Sequence, residues 1–137
     1  MHAKYRFELV RGEDRSIPIS FFYRFPGTRK QEAVSLNGLD FFVNVKDWRT
    51  NDLIAQLSSD NEEILLGNLE DLDFVQLEDE DEEATALLVI FSHDITETFP
   101  GSRVVFELFA VSRSETKESR QCLMVGEIKV MTGVDYV

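Results

Sequence analysis

The amino-acid sequence predicts an all-β fold: a single antiparallel β-sandwich of about seven or eight strands, in one domain spanning residues 1–137. Apolar and polar residues alternate in most segments, as they do in strands with one buried face. Turn-forming residues separate these segments at short intervals, and helix is a competing interpretation only at 51–68. A chain of 137 residues also suits one domain with one hydrophobic core.

Three strands are predicted in the first third of the chain. The first covers residues 5–11, where apolar and charged residues alternate up to a glycine turn. A second strand follows at 17–25. The turn formers Pro26 and Gly27 separate it from a third strand at residues 39–45.

The segment at 51–68 admits two interpretations. Asn51 or Thr50 could cap a helix, because leucines and isoleucines recur after them. The four polar turn formers at 58–61 instead favour a hairpin between short strands at 53–58 and 63–67. These polar residues shift the balance slightly toward two strands.

Three further strands are predicted in the last third of the chain. Residues 85–91 are nearly all apolar, which is typical of a strand covered on both faces or lying at an interface. Alternating strands follow at 104–110 and 122–130. Many short strands with at most one short helix predict a sandwich with an immunoglobulin-like arrangement, carrying an acidic loop excursion at 69–85.

The charge of the chain is strongly negative and lies mostly in one segment. The sequence has 26 acidic and 14 basic residues, a net charge of −12. Nine of the acids and none of the bases lie between Glu70 and Glu83. Without a concentrated basic surface to neutralise phosphates, a nucleic-acid partner is not expected.

The densest acidic run could act in three ways. It could be a solvated loop, a docking segment for a basic patch on another protein, or a calcium loop. A calcium loop needs spaced oxygen ligands and usually a glycine turn, which this run lacks, so no metal is expected. The candidate acidic docking segment consists of Glu78, Asp79, Glu80, Asp81, Glu82 and Glu83.

The sequence offers little catalytic chemistry, and we expect neither an enzyme nor a cofactor. The single cysteine, Cys122, lies in an alternating strand and is predicted to be a packed small hydrophobe. His93 could serve as a base oriented by Asp94, although a histidine at a strand end is the simpler interpretation. One cysteine and two distant histidines exclude a disulfide scaffold and a His/Cys zinc site.

Several apolar residues lie on strand faces that a sandwich normally keeps polar. Such a patch often marks a protein interface. Alternatively, the excursion at 69–85 covers part of this face with its own apolar residues. The candidate interface residues are Phe22, Phe42, Val105, Phe109 and Val111.

Targeting signals and membrane spans are not expected. The first residues run directly into an alternating segment without the apolar core of a signal peptide. No apolar stretch approaches the ~20 residues that a membrane-spanning helix needs. We therefore expect neither export nor a membrane partner.

Four short motifs occur in an order that resembles a known family. The chain resembles the β-sandwich family of tailed-bacteriophage virion proteins typified by the amino-terminal domain of siphophage baseplate upper proteins, with related tail-fibre and adaptor domains. The motifs are the turn at Gly12, Glu13 and Asp14, then Leu36 to Gly38, Pro100 to Leu108, and Gly126 to Val130. All four have an architectural character, so the resemblance supplies no catalytic residues. It also implies two short strands at 51–68.

The resemblance implies a non-enzymatic structural protein of the virion. Such a protein would be an adaptor, connector or decorating subunit of the tail, baseplate or head. We expect it to be made in the host cytoplasm and to reside in the particle. Its expected partners are other virion proteins and further copies of itself. The alternative, suggested by the net charge, is a small acidic inhibitor that imitates nucleic acid and blocks a host defence nuclease.

Overall fold

The computed structural model describes residues 3–24, 26–79, 81–113 and 116–132. It confirms a nearly all-β protein, with 59% strand and 6% helix. In the described ranges, no helix has the length and apolar character needed to cross a membrane.

The strands are named here in chain order. They are β1 (Ala3–Val10), β2 (Arg15–Ser20), β3 (Phe22–Arg24), β4 (Gln31–Ala33), β5 (Asp40–Asp47), β6 (Leu53–Ser58), β7 (Ile64–Glu70), β8 (Asp73–Gln76), β9 (Ala86–Phe91), β10 (Arg103–Arg113) and β11 (Glu118–Met131). A 3-10 helix covers Ser59–Asn61, and a four-residue helix, α1, covers His93–Thr96.

The strands form two main sheets and one small one. The five-stranded sheet has the order β1-β11-β10-β5-β6, and the four-stranded sheet has the order β2-β9-β7-β8. Among the described residues, strands β3 and β4 pair only with each other. The prediction of a purely antiparallel fold is wrong at one place, because β1 pairs with β11 in parallel, from Ala3 opposite Met124 to Val10 opposite Met131.

The inner faces of the two main sheets share one hydrophobic core. The alternating residues assigned to the interior are buried in β5 and β10, as the period of two requires. The four-stranded sheet contributes from β2, β7 and β9. Core residues from both sheets include Phe41, Val43, Val45, Val104, Phe106, Leu108, Ile17, Ile64, Leu87 and Val89.

Four phenylalanine rings join the sheets within this core. Phe7 and Phe106 belong to the five-stranded sheet, and their ring centroids are 5.9 Å apart. Phe91 of the four-stranded sheet lies 5.9 Å from Phe7 and 6.1 Å from Phe106. Phe99, from the segment after α1, meets Phe91 edge-on at 6.5 Å. Tilted and edge-on pairs at these distances add to the stabilisation from burial.

Gly126 leaves the space that the Phe106 ring occupies. These two residues face each other across β10 and β11. A Cβ atom at position 126 would collide with the Phe106 ring and lie 2.9 Å from the carbonyl oxygen of Tyr5. Because glycine has no Cβ, the Phe106 ring can lie against the β11 backbone at this position. Any other residue at position 126 would displace the ring.

The segment at 51–68 forms strands, so the helical alternative is wrong. The predicted hairpin is also wrong, because β6 belongs to the five-stranded sheet and β7 to the four-stranded sheet. The polar residues between them form the 3-10 helix, with the Ser58 side chain accepting a hydrogen bond from the Asp60 amide at 3.1 Å. Glu62 then adopts a left-handed conformation, with φ of 60°. The 3-10 helix and Glu62 therefore connect β6 in the five-stranded sheet to β7 in the four-stranded sheet.

Two other strands differ from their predicted lengths. The strand predicted at 17–25 divides into β2 and β3, which lie in different sheets. Phe25 lies outside the described residues. Strands β10 and β11 extend past the polar residues expected to end them, to Arg113 opposite Glu118. The result is a long two-stranded ribbon beyond the core.

Truncation of either of two core side chains tests this packing. Phe106 and Ile128 are 1% and 0% exposed, so Phe106→Ala and Ile128→Ala should each lower the free energy of unfolding by ~2 to 5 kcal/mol. Chemical denaturation measures the change. Leu53→Ala is the matched control, since Leu53 is 58% exposed and should unfold like the wild type. Near-neutral effects at both core positions would contradict the assignment of inner and outer faces.

Candidate protein-interaction site

Two of the predicted interface residues stack on the outer face of the five-stranded sheet. Phe42 of β5 and Phe109 of β10 are paired in the strand register. Their ring centroids lie 4.9 Å apart, with ring planes 10° from parallel. Because the residues on either side of Phe42 are buried, alternation directs its ring outward. The Arg120 guanidinium lies 5.5 Å from the Phe42 centroid, so the stack is partly covered by a cation.

Val105 lies on the same outer face, nearer the start of β10. Beside it is a shallow cleft of about 450 Å³, whose lining includes Tyr5 and Val125. Between Val105 and Phe109, the carboxylate of Glu107 pairs with the Lys46 ammonium at 2.9 Å. This partly buried ion pair divides the outer face into two apolar areas.

Val111 does not form part of an exposed surface. It is 4% exposed, although it is absent from the core between the sheets. Its neighbours in the strand register are Asp40 and Arg120. The long Arg120 side chain extends across this face toward Phe42, and Arg113 reaches Asp40 at 3.6 Å. Val111 is thus buried although strand alternation places it on the outer face.

The excursion at 69–85 does not cover this outer face. Its first part belongs to β7 and β8, and both strands lie in the four-stranded sheet on the opposite side of the core. Leu77 packs against the core. The interpretation in which the excursion shields the phenylalanines is therefore wrong.

Phe22, the remaining predicted interface residue, lies at a different surface. It is 58% exposed and borders a groove of about 600 Å³ between the β3–β4 hairpin and the extended β10–β11 ribbon. We call this the apolar groove. Its walls are formed by Phe21, Phe22, Val34, Leu36, Leu39, Ala110, Ser112, Ser119, Gln121, Cys122 and Leu123.

The apolar groove lies near the end of the sheet, where the ribbon extends past β5. The last pair between β10 and β5 is Val111 with Asp40, whereas β10 and β11 continue to Arg113. The β3–β4 hairpin stands beside this extension, tied back by the Val34 amide, which donates to the Phe21 carbonyl at 2.9 Å. The groove is the space between this hairpin and the ribbon.

Cys122 is half-buried on the wall of this groove rather than packed in the core. Its thiol lies 3.7 Å from the Met124 carbonyl oxygen. The irregular register between Leu108 and Phe109 adds one residue to β11 at this point, and such a bulge changes the direction of side chains. The prediction of a fully packed cysteine is therefore corrected.

The acidic excursion is half hairpin and half loop, rather than one loop. Strands β7 and β8 pair from Gly67 opposite Gln76 to Glu70 opposite Asp73. Asp71 and Leu72 connect them with φ values of 50° and 74°. Two central residues with positive φ define the tight turn that suits the twist of a two-residue hairpin.

Two asparagines hold the end of the acidic loop. Asn37 donates to the Glu82 carbonyl at 2.9 Å and accepts from the Ala84 amide at 2.6 Å. Asn68 donates to the Glu83 carbonyl at 3.1 Å. Because the backbone makes these contacts, the acidic side chains stay exposed to solvent. The candidate residues Glu78, Asp79, Asp81, Glu82 and Glu83 are all exposed, and Glu80 lies outside the described residues.

Leu72 is the most exposed large apolar residue among those described, at 89%. It stands at the hairpin tip between Asp71 and Asp73. The left-handed conformation costs a leucine about 1 kcal/mol relative to glycine, which would normally occupy this position. An exposed leucine at a strained turn is the feature that sequence reasoning missed, because no glycine marks the turn.

His93 is held between two carboxylates. Its Nδ1 lies 3.0 Å from Asp14 and its Nε2 lies 3.3 Å from Asp94. The hydrogen bond with Asp14, followed by the charges of Asp94 and Asp14, raises the pKa of His93. Asp14 also accepts from the His93 backbone amide at 2.7 Å, and this bond is the main reason that the pKa of Asp14 is lowered.

Thr96 completes a connection between the β1–β2 turn and α1. Its buried hydroxyl accepts from the Gly12 amide at 3.1 Å and donates to the Glu13 carbonyl at 2.8 Å. Gly12 has a φ of 88°, so the turn needs a residue without a Cβ. The motif Gly12, Glu13 and Asp14 lies in the turn that connects β1 in one sheet to β2 in the other. Hydrogen bonds from Thr96 and His93 of α1 hold this turn in place.

No family model matches this chain, and the search of curated proteins finds no match. Within the described residues, no cluster of three or more His, Cys, Asp or Glu side chains is arranged to hold a metal ion.

The role of His93 is testable by its titration. We expect NMR to show the pKa of His93 above its ordinary value near 6.5, and Asp14→Asn to lower it more than Asp94→Asn does. Because the folded-state pKa is raised, this interaction stabilises the fold below pH 6.5 and the effect is lost as pH rises through the folded-state pKa.

The contribution of Asp14 to stability depends on pH in the opposite direction. Its pKa is lowered from an ordinary value of 3.8, so its contribution is present above pH 3.8 and is lost as pH falls through the folded-state pKa. The wild type should therefore be more stable than His93→Ala, and the difference should be largest between pH 3.8 and pH 6.5. A His93 that titrates at or below its ordinary pKa would contradict the arrangement.

Proposed function

We propose that this protein is a non-enzymatic structural subunit of a bacteriophage particle. It would act as an adaptor, connector or decorating subunit of the tail, baseplate or head, and assemble with further copies and other virion proteins through its sheet faces and edges. The observation that carries the proposal is that apolar side chains on three separate surfaces are exposed or partly exposed. These are the Phe42 and Phe109 stack, the apolar groove and the β7–β8 hairpin.

The strand connections support an immunoglobulin-like sandwich as the fold of this subunit. In such domains, two sheets of characteristic strand order face each other, and consecutive strands cross from one sheet to the other. Here β11, β10, β5 and β6 are neighbours in one sheet, while β2, β9 and β7 are neighbours in the other. On this interpretation, the β3–β4 and β7–β8 hairpins are additions to a common framework, and additions of this kind supply contact surfaces.

Sheet edges offer a second means of contact. Strands β6 and β8 each end a sheet, so one side of each backbone has no strand partner in the described part of the chain. Unpaired edges can pair with another chain. β8 has four residues and lies beside acidic residues, which limits uncontrolled pairing through that edge.

The chemistry of His93 supports a structural role rather than a catalytic one. Both ring nitrogens face carboxylates, which favour the protonated ring. The Asp14 carboxylate also accepts from the His93 backbone amide at 2.7 Å, so the same contact ties the β1–β2 turn to α1. The sequence hypothesis of a base oriented by Asp94 is therefore less favoured than an architectural role.

The distribution of acids favours a subunit over the alternative of a nucleic-acid imitator. Phosphates in a duplex follow one another at regular intervals, so an imitator should carry carboxylates along an extended face. In this protein, nine acids are concentrated between Glu70 and Glu83, at one hairpin tip and the loop that follows it. Such a local concentration suits one protein contact.

Particle composition tests the proposed function. Peptide mass spectrometry on purified phage particles from the source lysate should recover the protein in a fixed ratio to the major virion proteins. The soluble fraction of the same lysate is analysed beside it as the control. Recovery from the soluble fraction without recovery from particles would overturn the proposal.

A further inference from the structure

Asn37 is the only asparagine in the sequence that precedes a glycine. The other four asparagines precede Val45, Asp52, Glu62 and Leu69. Because glycine has no Cβ, its backbone nitrogen is less hindered than that of any other residue, and its peptide adopts conformations closed to other residues. Such a nitrogen can add to the side-chain amide carbon of the asparagine before it. The sequence therefore singles out position 37 for spontaneous modification.

The surroundings of Gly38 leave its backbone nitrogen room to move. Gly38 has a φ of 78°. Apart from its chain neighbours, no atom of the described residues lies within 4 Å of the place that a Cβ would take. Asn37 and Gly38 are both exposed, so water reaches them. The chain is fixed on one side only, where Leu36 is buried and its amide donates to the Ala84 carbonyl at 2.8 Å.

The side-chain amide of Asn37 is polarised by a backbone hydrogen bond. The Ala84 amide donates to Asn37 Oδ1 at 2.6 Å, which makes the amide carbon, Cγ, more electrophilic. When a nucleophile adds to Cγ, negative charge develops on Oδ1, and the same N–H stabilises it as a backbone donor does in an oxyanion hole. Ala84 is 0% exposed, so water competes little for this donor. Asn37 thus has both the following residue and the polarisation that the reaction needs.

We propose that Asn37 is a site of spontaneous deamidation, and that its modification releases the end of the acidic loop. The Gly38 nitrogen forms a bond to Asn37 Cγ, and the bond between Cγ and Nδ2 breaks. Nδ2 leaves as ammonia, with the proton that Gly38 loses. Water then opens the succinimide ring at either carbonyl carbon, which gives aspartate or isoaspartate. The reaction consumes one water and adds one negative charge to the chain.

Both products weaken the hold of position 37 on the acidic loop. In the aspartate product, a carboxylate oxygen replaces Nδ2 and faces the Glu82 carbonyl oxygen to which Nδ2 donated at 2.9 Å. In the isoaspartate product, the main chain passes through the former side chain, so neither contact keeps its donor and acceptor in place. The new charge also lies close to Glu82 and Glu83, and like charges repel. The candidate acidic docking segment is therefore held less firmly as the molecule ages.

Peptide mass spectrometry of the intact, folded chain tests the chemistry. The protein is kept in a mildly alkaline buffer, which favours loss of the proton from the attacking nitrogen, and is sampled over time. Asn37 should convert to aspartate and isoaspartate at least about tenfold faster than Asn68. Asn68 is the internal control, since it accepts from the Thr85 hydroxyl at 2.6 Å and donates to the Glu83 carbonyl at 3.1 Å, but precedes a leucine.

Gly38→Asn tests the role of the attacking residue. Asparagine tolerates a positive φ, and the open space at position 38 accommodates its side chain, so the turn should persist. The added side chain hinders the backbone nitrogen, and conversion of Asn37 should slow by at least about tenfold. An unchanged rate of conversion would contradict attack by this nitrogen.

Asn37→Asp tests the release of the loop, because it reproduces the aspartate product. A glutamate-specific endoprotease should cleave after Glu82 at least about tenfold faster than in the wild type, since a lost hydrogen bond and a repulsive contact favour local opening. Asn44→Asp is the charge-matched control. Asn44 lies on β5 and accepts from the Gln56 side chain at 2.7 Å, a bond that a carboxylate keeps. This variant should be cleaved like the wild type.

The outcomes separate this inference from the proposed function. If Asn37 in the folded chain reacts no faster than Asn68, or reacts only after unfolding in urea, the modification site is wrong. If Asn37 reacts but Asn37→Asp is cleaved like Asn44→Asp, the release of the acidic loop is wrong. None of these results depends on whether the protein is recovered from particles, so particle composition tests the proposed function independently.

Discussion

The contact among Phe7, Phe91 and Phe106 is the constraint on which the rest of the architecture depends. These rings come from three strands and both sheets, so they fix the distance and the angle between the layers. Gly126 makes their arrangement possible by leaving room beneath Phe106. Once the layers are fixed at this point, the β10–β11 ribbon and the β7–β8 hairpin can extend past the core without losing their support. The surfaces that the ribbon and the hairpin present for contact therefore depend on the packing of these three phenylalanine rings.

Much of the core could be predicted because its signal is local. In β5 and β10, side chains alternate with a period of two, and the inner positions at 41, 43 and 45 are buried as predicted. Sheet membership could not be predicted, since a hairpin turn and a crossover between sheets can use the same polar residues. The residues at 58–61 illustrate this limit, because the side-chain cap of Ser58 and the left-handed Glu62 direct the chain into the other sheet.

The candidate site was predictable only where it depends on one strand. Alternation placed Phe42 and Phe109 on an outer face, but it did not reveal that Val111 on that face is buried. The partnership of His93 with Asp14 joins positions 79 residues apart. The apolar groove combines residues from segments 21–39 and 110–123, and no glycine marks the turn at Leu72. Each of these features arises from tertiary packing.

The parallel pairing of β1 with β11 also governs the order in which the protein can fold. Ala3 finds its partner, Met124, near the opposite end of the sequence. During synthesis, β1 emerges from the ribosome long before β11, the strand with which it pairs. Closing so long a loop costs chain entropy before any contact is gained, which slows folding. The pairing of β1 with β11 can therefore form only after nearly all of the described chain has been synthesised.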